Sequence, residues 1–164
     1  MTATEPASPN LQHIFEGGLD EWLNALPAYQ RRHVQAMLEH GTPEDVAASW
    51  LGSLGPSDTA PYGGVKAAGA SFYENLLREL QRLFCDPDAY VEERSQLQKA
   101  SGTGQLMIVG VVCTAIAPHI GAAAAFIGPA VALTLALLSN AGKATACQQL
   151  NDMLARRESA QSQE

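Results

Sequence analysis

A stretch of 37 residues, from Leu106 through Gly142, contains no aspartate, glutamate, lysine or arginine. It has no charged face to keep in water, so it must be buried either in protein or in lipid. As one straight helix, residues 106–138 would be about 50 Å long, whereas the hydrocarbon core of a bilayer is about 30 Å thick. The segment is therefore too long for one simple membrane span.

Prolines and glycines divide this segment into shorter pieces. Pro118 with Gly121, and then Gly128 with Pro129, are expected to interrupt a helix. The resulting pieces of about a dozen residues suit a hairpin of two helices. We therefore predict an apolar helical hairpin over 105–142.

The basic residues on either side of the segment agree with a hairpin. Lys99 precedes it and Lys143 follows it, and positive charge tends to stay on the cytoplasmic side of a membrane. A hairpin that enters and returns keeps both lysines on that side. A single tilted span that begins near Gly121 is the alternative topology.

We expect the hairpin to contact lipid or protein through its larger side chains and the residues at its turns. These are Leu106, Ile108, Val111, Ile116, Pro118, His119, Phe126, Ile127, Pro129, Leu133 and Leu137. His119 is the unusual member, because an imidazole inside an apolar hairpin needs a turn, a cavity or a free carbonyl group. A position at the hairpin tip is the simple interpretation, and a pH-sensitive trigger for insertion is the alternative.

The rest of the chain is acidic. The whole sequence of 164 residues has a formal net charge of −7 and only 16% charged residues, against about 25% in typical soluble domains. Residues 1–60 contain eight acidic and two basic residues. This balance argues against a nucleic-acid partner.

Helical patterning predominates outside the hairpin as well, and no convincing alternation with a period of two predicts a strand. We predict an all-α fold, a small helical bundle with an apolar Gly/Ala-rich hairpin near the C-terminus. The predicted division is a disordered lead-in over 1–10, an acidic helical module over 11–55, a Gly/Pro linker over 56–64, amphipathic helices with the hairpin over 65–158, and a polar tail over 159–164. The expected partner-binding side chains on the amphipathic helices are Trp22, Trp50, Phe72, Leu76 and Leu80.

Short motifs give no sign of catalysis. The segment 38–51 opens somewhat like a helix-turn-helix, but its recognition helix would fall on a stretch rich in proline and glycine. Gly102 and Gly104 lack the further glycines and the following lysine of a phosphate-binding loop. The acidic residues between Asp86 and Glu93 suit the amino end of a helix rather than a metal site. We therefore expect no enzyme activity, cofactor, metal or small-molecule substrate.

The three cysteines indicate a reducing compartment. Cys85, Cys113 and Cys147 are odd in number, far apart and without a C-x-x-C motif, so neither a disulfide framework nor a zinc site is expected. The N-terminal residues have no basic and then apolar pattern of a secretory signal. We expect a protein of the cytoplasm or of the inner face of the cytoplasmic membrane, and not a secreted one.

Two functions follow from the two possible environments of the hairpin. In the first, the protein is non-enzymatic and membrane-associating: the hairpin inserts in a bilayer while the polar helices bind a protein partner or self-associate. In the second, it is a soluble all-α adaptor that buries the hairpin in its own core or in a homo-oligomer interface. A protein that shelters the hairpin and then releases it would combine both.

Overall fold

The chain folds into α-helices, as the sequence predicts. The computed structural model describes residues 14–53, 64–100, 103–139 and 146–162, and within these ranges it contains eight α-helices and no strand. In chain order they are α1 Leu19–Leu23, α2 Ala28–Leu38, α3 Pro43–Ser53, α4 Gly64–Cys85, α5 Val91–Ala100, α6 Gln105–Ile120, α7 Ala124–Ser139 and α8 Ala146–Ser162. The predicted lead-in over 1–10 and all of the linker except Gly64 lie outside the described residues.

Local capping explains where α3 begins. The Thr42 hydroxyl accepts a hydrogen bond of 3.1 Å from the backbone N–H of Asp45, which is how a threonine caps a helix. Pro43 occupies the first helical position, where its missing N–H costs no hydrogen bond. Glu44 and Asp45 complement the positive end of the helix dipole.

A buried arginine completes the C-terminus of α4. The Arg94 guanidinium donates to the carbonyl oxygens of Arg82, Leu83, Asp86 and Ala89. These carbonyl groups belong to the last turn of α4 and to the α4–α5 connection, where regular helical hydrogen bonding ends, although those of Arg82 and Asp86 also accept a backbone N–H. Arg94 is 4% exposed, so one side chain from α5 both fixes the α4–α5 turn and satisfies its buried carbonyl groups.

The core of the bundle surrounds α7. Helices α1, α2, α3, α6 and α8 all contact it, and from Ile127 to Ala136 every residue of α7 is buried. Burial all round is what a helix without a polar face requires. The helices α1–α3 of the acidic N-terminal segment thus pack directly on the apolar hairpin. The predicted division into domains stays a prediction.

Candidate functional site

The predicted hairpin is present, with one turn where two interruptions were expected. Helices α6 and α7 are bent by 116° relative to each other, and the turn begins at Gly121, whose φ of +75° lies in the left-handed region that favours glycine. The N–H groups of Gly121 and Ala122 both bond to the carbonyl oxygen of Ala117 and close α6. Pro118 lies inside the last turn of α6.

The second predicted interruption, at Gly128 and Pro129, is wrong. Both residues lie inside α7, which continues without a break. A proline inside a helix deprives the carbonyl group four residues earlier of its partner, and here that carbonyl belongs to Ala125. Gln30 of α2 supplies the missing donor, with its Nε2 atom 3.1 Å from the Ala125 oxygen. A side chain from another helix therefore stabilises α7 across its proline.

Two tryptophans of the acidic helices hold the two ends of α7. The Trp50 indole N–H donates to the Phe126 carbonyl oxygen at 2.8 Å, near the start of the helix. The Trp22 indole N–H donates to the Ser139 hydroxyl at 3.1 Å, at its last residue. Both indoles are buried. Each therefore packs in the hydrophobic core and also donates a hydrogen bond at one end of α7.

A polar network joins the middle of α7 to the surface. The hydroxyl groups of Tyr73 and Thr134 share a hydrogen bond of 2.8 Å, and the Arg157 guanidinium carbon lies 4.9 Å from the centre of the Tyr73 ring. Arg157 in turn forms an ion pair of 2.9 Å with Glu44. Burial raises the pKa of Tyr73 well above its usual range. The network connects α3, α4, α7 and α8 through one buried tyrosine.

Unlike α7, α6 presents one face to solvent. This outer stripe consists of Leu106, Met107, Gly110, Thr114 and Pro118, all exposed. Leu106 is 66% exposed and Met107 is 52% exposed. Helix faces in water usually carry charged side chains, and this one carries none.

His119 lies at the hairpin tip, as the simple interpretation predicted. It is exposed, and its ring packs edge-on against Tyr90 with 5.1 Å between ring centres. The two rings line an open cleft of about 300 Å³ together with Arg82, Glu92 and Glu93. Tyr90 is also a non-glycine residue with a positive φ, of 54°, and its hydroxyl donates to Glu79.

The other predicted hairpin residues differ in exposure. Ile108, Ile116, Ile127, Pro129 and Leu133 are buried, whereas Val111, Phe126 and Leu137 are half-buried. The outer stripe was missed as a distinct surface, because α6 is apolar on all sides in the sequence and only its neighbours decide which side is covered.

The predicted partner-binding side chains lie inside the bundle. Trp22, Trp50, Leu76 and Leu80 are buried, and Phe72 is half-buried. In this conformation their apolar surface contacts other helices of the same chain. Their role toward a partner stays a prediction.

The cysteines differ from the sequence-based interpretation. Cys85 and Cys147 form a disulfide with their Cα atoms 5.7 Å apart, so the expectation that no disulfide forms is wrong. The pair is 62 residues apart in sequence, and only the packing of α8 against α4 brings the two together. Cys113 is a free, buried thiol in α6.

Metal-ligating side chains are not clustered in the described part of the chain. No group of three or more histidine, cysteine, aspartate or glutamate residues is arranged there to hold an ion. Asp86 instead accepts a hydrogen bond from the backbone N–H of Asp88, which forms a local turn. The hairpin and the helices that hold it are therefore the candidate functional site.

Within 14–53, 64–100, 103–139 and 146–162, no single helix is both long and apolar enough to cross a membrane. Helices α6 and α7 meet the criteria of length and composition only when taken together.

Comparison with protein-family models, with curated proteins and with solved structures finds no match to this chain.

Proposed function

We propose that this chain is a non-enzymatic, membrane-associating protein that shelters its apolar hairpin in a helical bundle and inserts it in a bilayer. The observation that carries the proposal is the outer stripe of α6. It is an exposed helix face without charge, and it is continuous in sequence with α7, which also has none. A lipid surface is the environment in which such a face needs no polar residue.

Two hydroxyl groups of α7 find their hydrogen-bond acceptors within the same helix. The Thr134 hydroxyl donates to the Ala130 carbonyl oxygen at 2.8 Å, and the Ser139 hydroxyl donates to that of Leu135 at 2.8 Å. Both bonds lie within α7, so they persist when the helix leaves the bundle. This lowers the cost of carrying two hydroxyl groups into hydrocarbon.

The helix lengths favour entry and return from one side. Each of α6 and α7 has 16 residues and is therefore about 24 Å long, shorter than a hydrocarbon core of about 30 Å. In the proposed inserted form the tip at Gly121 is the deepest point, and both bases of the hairpin remain at the surface they entered. We propose the inner face of the cytoplasmic membrane as that surface, because Lys99 and Lys143 flank the hairpin in sequence.

Release of α7 also gives the predicted partner-binding residues a role. Trp22 and Trp50 lose their hydrogen-bond acceptors on α7 when the hairpin leaves. Their uncovered indole rings then become available to a protein partner or to a second copy of the chain. In this way insertion in lipid and protein binding are two consequences of one opening step.

A charge placed on the outer stripe tests the membrane role. Leu106→Lys should lower binding of the full chain to neutral phosphatidylcholine vesicles by on the order of tenfold or more, because a lysine must replace an apolar contact with lipid. Tyr29→Lys is the matched control: Tyr29 is 65% exposed but belongs to α2, and its replacement should leave binding unchanged. The measurement is flotation of protein with vesicles. Equal binding by both variants and the native chain would contradict the proposal.

The second candidate function is a soluble all-α adaptor, and the burial of every α7 residue from Ile127 to Ala136 favours it. In that case the outer stripe binds a protein, and the native chain does not float with vesicles at any lipid concentration. The same experiment therefore separates the two functions.

A further inference from the structure

The Cys85–Cys147 disulfide closes a loop that contains the entire hairpin. Cys85 is the last residue of α4, and Cys147 lies in the first turn of α8. The chain between them consists of α5, α6 and α7 with their connections. One covalent bond therefore joins the two helices from which the hairpin segment departs and to which it returns.

The same bond links α8, which covers one side of α7, to α4. Helix α8 packs against both α4 and α7, and its apolar residues Leu150, Met153 and Leu154 are buried. For α8 to move away and uncover α7, it must part from α4. While the disulfide is intact, that movement is restricted at the end where the cysteines lie.

The disulfide is also within reach of a reagent. Cys85 and Cys147 are both partly exposed, whereas Cys113 is buried in α6. Thiol exchange depends on access of the attacking thiolate to a sulfur atom. In the folded protein, Cys85 and Cys147 are therefore the reactive pair, and Cys113 does not compete with them.

We propose that Cys85 and Cys147 form a thiol–disulfide exchange site whose reduction by a dithiol loosens the hairpin within the bundle. This rests on the proposed membrane function for its biological role, but the loosening itself occurs in water. Reduction removes the covalent link that limits separation of α4 and α8, so open states gain conformational entropy relative to the closed bundle.

The chemistry requires a dithiol and no other reactant. A thiolate of the dithiol attacks one protein sulfur, the protein S–S bond breaks, and the other cysteine leaves as a thiolate that takes a proton from water. The second thiol of the reagent, as its thiolate, then attacks the mixed disulfide. The reagent becomes a cyclic disulfide, and the protein holds two thiols after a second protonation.

The intact bond also restricts the membrane topology that the chain can adopt. Two bonded cysteines lie on the same side of a bilayer, so the chain between them crosses it an even number of times or not at all. A hairpin that enters and returns meets this condition. A single span that begins near Gly121 requires the reduced protein.

Amide hydrogen exchange of α7, measured on the full chain without lipid, tests the loosening. Reduction with a dithiol should accelerate exchange of the α7 amides by on the order of tenfold or more, and the double variant Cys85→Ser, Cys147→Ser should exchange as fast without reductant. Cys113→Ala is the control, since it should keep the full response to reductant. Equal exchange of α7 in the oxidised and the reduced protein would overturn the inference.

Flotation of the same samples with phosphatidylcholine vesicles separates this inference from the proposed function. We expect the reduced protein to bind more vesicles than the oxidised protein. If reduction accelerates exchange but neither form binds vesicles, the exchange site stands and the membrane function fails. If vesicles bind but exchange of α7 does not change, the membrane function stands and the exchange site fails.

Discussion

Thr134 shows how a single polar residue is accommodated in the middle of an apolar helix. Its hydroxyl bonds both to the Ala130 carbonyl oxygen and to the hydroxyl of Tyr73. The Tyr73 ring lies between the Thr134 hydroxyl and the side chain of Arg157. Arg157 and Glu44 form an ion pair near the surface. The network fixes the register of α7 against α4 without placing a charge in the core.

Tyr73→Phe should lower the free energy of unfolding by about 1 kcal/mol, because it removes one buried hydrogen bond and leaves Thr134 its bond to Ala130. It should also change the response to alkali. Burial raises the pKa of Tyr73 in the folded state, so native stability is independent of this group below about pH 10 and falls as the pH rises further. The variant should lose less stability than the native chain between about pH 9 and about pH 11.

Denaturant unfolding at both pH values measures this difference. Burial also raises the pKa of Tyr90 and that of the Cys113 thiol, and both groups contribute to the alkaline loss that remains in the variant. An identical alkaline loss in Tyr73→Phe and the native chain would contradict the assignment.

For single residues, the sequence predicts the position in a helix or turn better than it predicts which side chains are in contact. It placed His119 at the hairpin tip because Gly121, two residues later, ends α6. It did not predict the ring of Tyr90 beside His119, or the bond between Cys85 and Cys147. Those contacts join residues far apart in sequence, and only the packing of whole helices determines them.

Helices α6 and α7 have nearly the same composition and quite different surroundings. Both consist almost entirely of apolar and small residues, and both have 16 residues and one internal proline. Yet α7 is buried on all sides from Ile127 to Ala136, while α6 leaves its outer stripe in solvent. Without a polar face on either helix, the sequence contains no signal for which of the two is central.

The continuity of α7 across Pro129 depends on a partner from α2. Gln30→Ala should lower the free energy of unfolding by about 1–3 kcal/mol, because the Ala125 carbonyl group is then without its donor. In a Pro129→Ala background the same change should cost much less, since residue 129 then has its own N–H for that carbonyl. Denaturant unfolding of the four proteins measures the coupling.

If Gln30 replaces the hydrogen bond lost at Pro129, the double-mutant cycle should give a coupling free energy of about 1 kcal/mol or more between the two positions. Additive effects of Gln30→Ala and Pro129→Ala would show that the glutamine does not replace the hydrogen bond lost at the proline. The sequence predicted an interruption here because it shows the proline but not the glutamine opposite it.

On the scale of the whole molecule, the all-α bundle and its hairpin follow from the sequence. Periodic apolar residues, capping residues such as Thr42 and the uncharged segment are local signals, and each is confirmed as a helix or a helix end. The enclosure of α7 by α1, α2 and α3 is not local. It requires Trp22, Gln30 and Trp50 to meet backbone or hydroxyl groups between 76 and 117 residues away in sequence.

The bundle therefore holds its most apolar helix in the interior by specific contacts that can be broken one by one. Three hydrogen bonds, from the indoles of Trp22 and Trp50 and from Gln30, hold α7 directly. The disulfide holds α8, which packs beside α7. In the proposed function, this helix and its partner α6 leave that interior for a bilayer.

A fluorescent probe at the hairpin tip tests this claim most directly. Ala123 is exposed at the turn, so Ala123→Cys accepts an environment-sensitive dye in the oxidised protein, where Cys113 is buried and the other cysteines are bonded to each other. Ala36→Cys, exposed on α2, is the matched control. Each labelled protein is mixed with phosphatidylcholine vesicles that contain quenchers at known depths, before and after addition of a dithiol. We expect the deep quencher to quench the tip probe most strongly, while the control probe stays in water. A tip probe that remains in water under both conditions would contradict the proposed insertion.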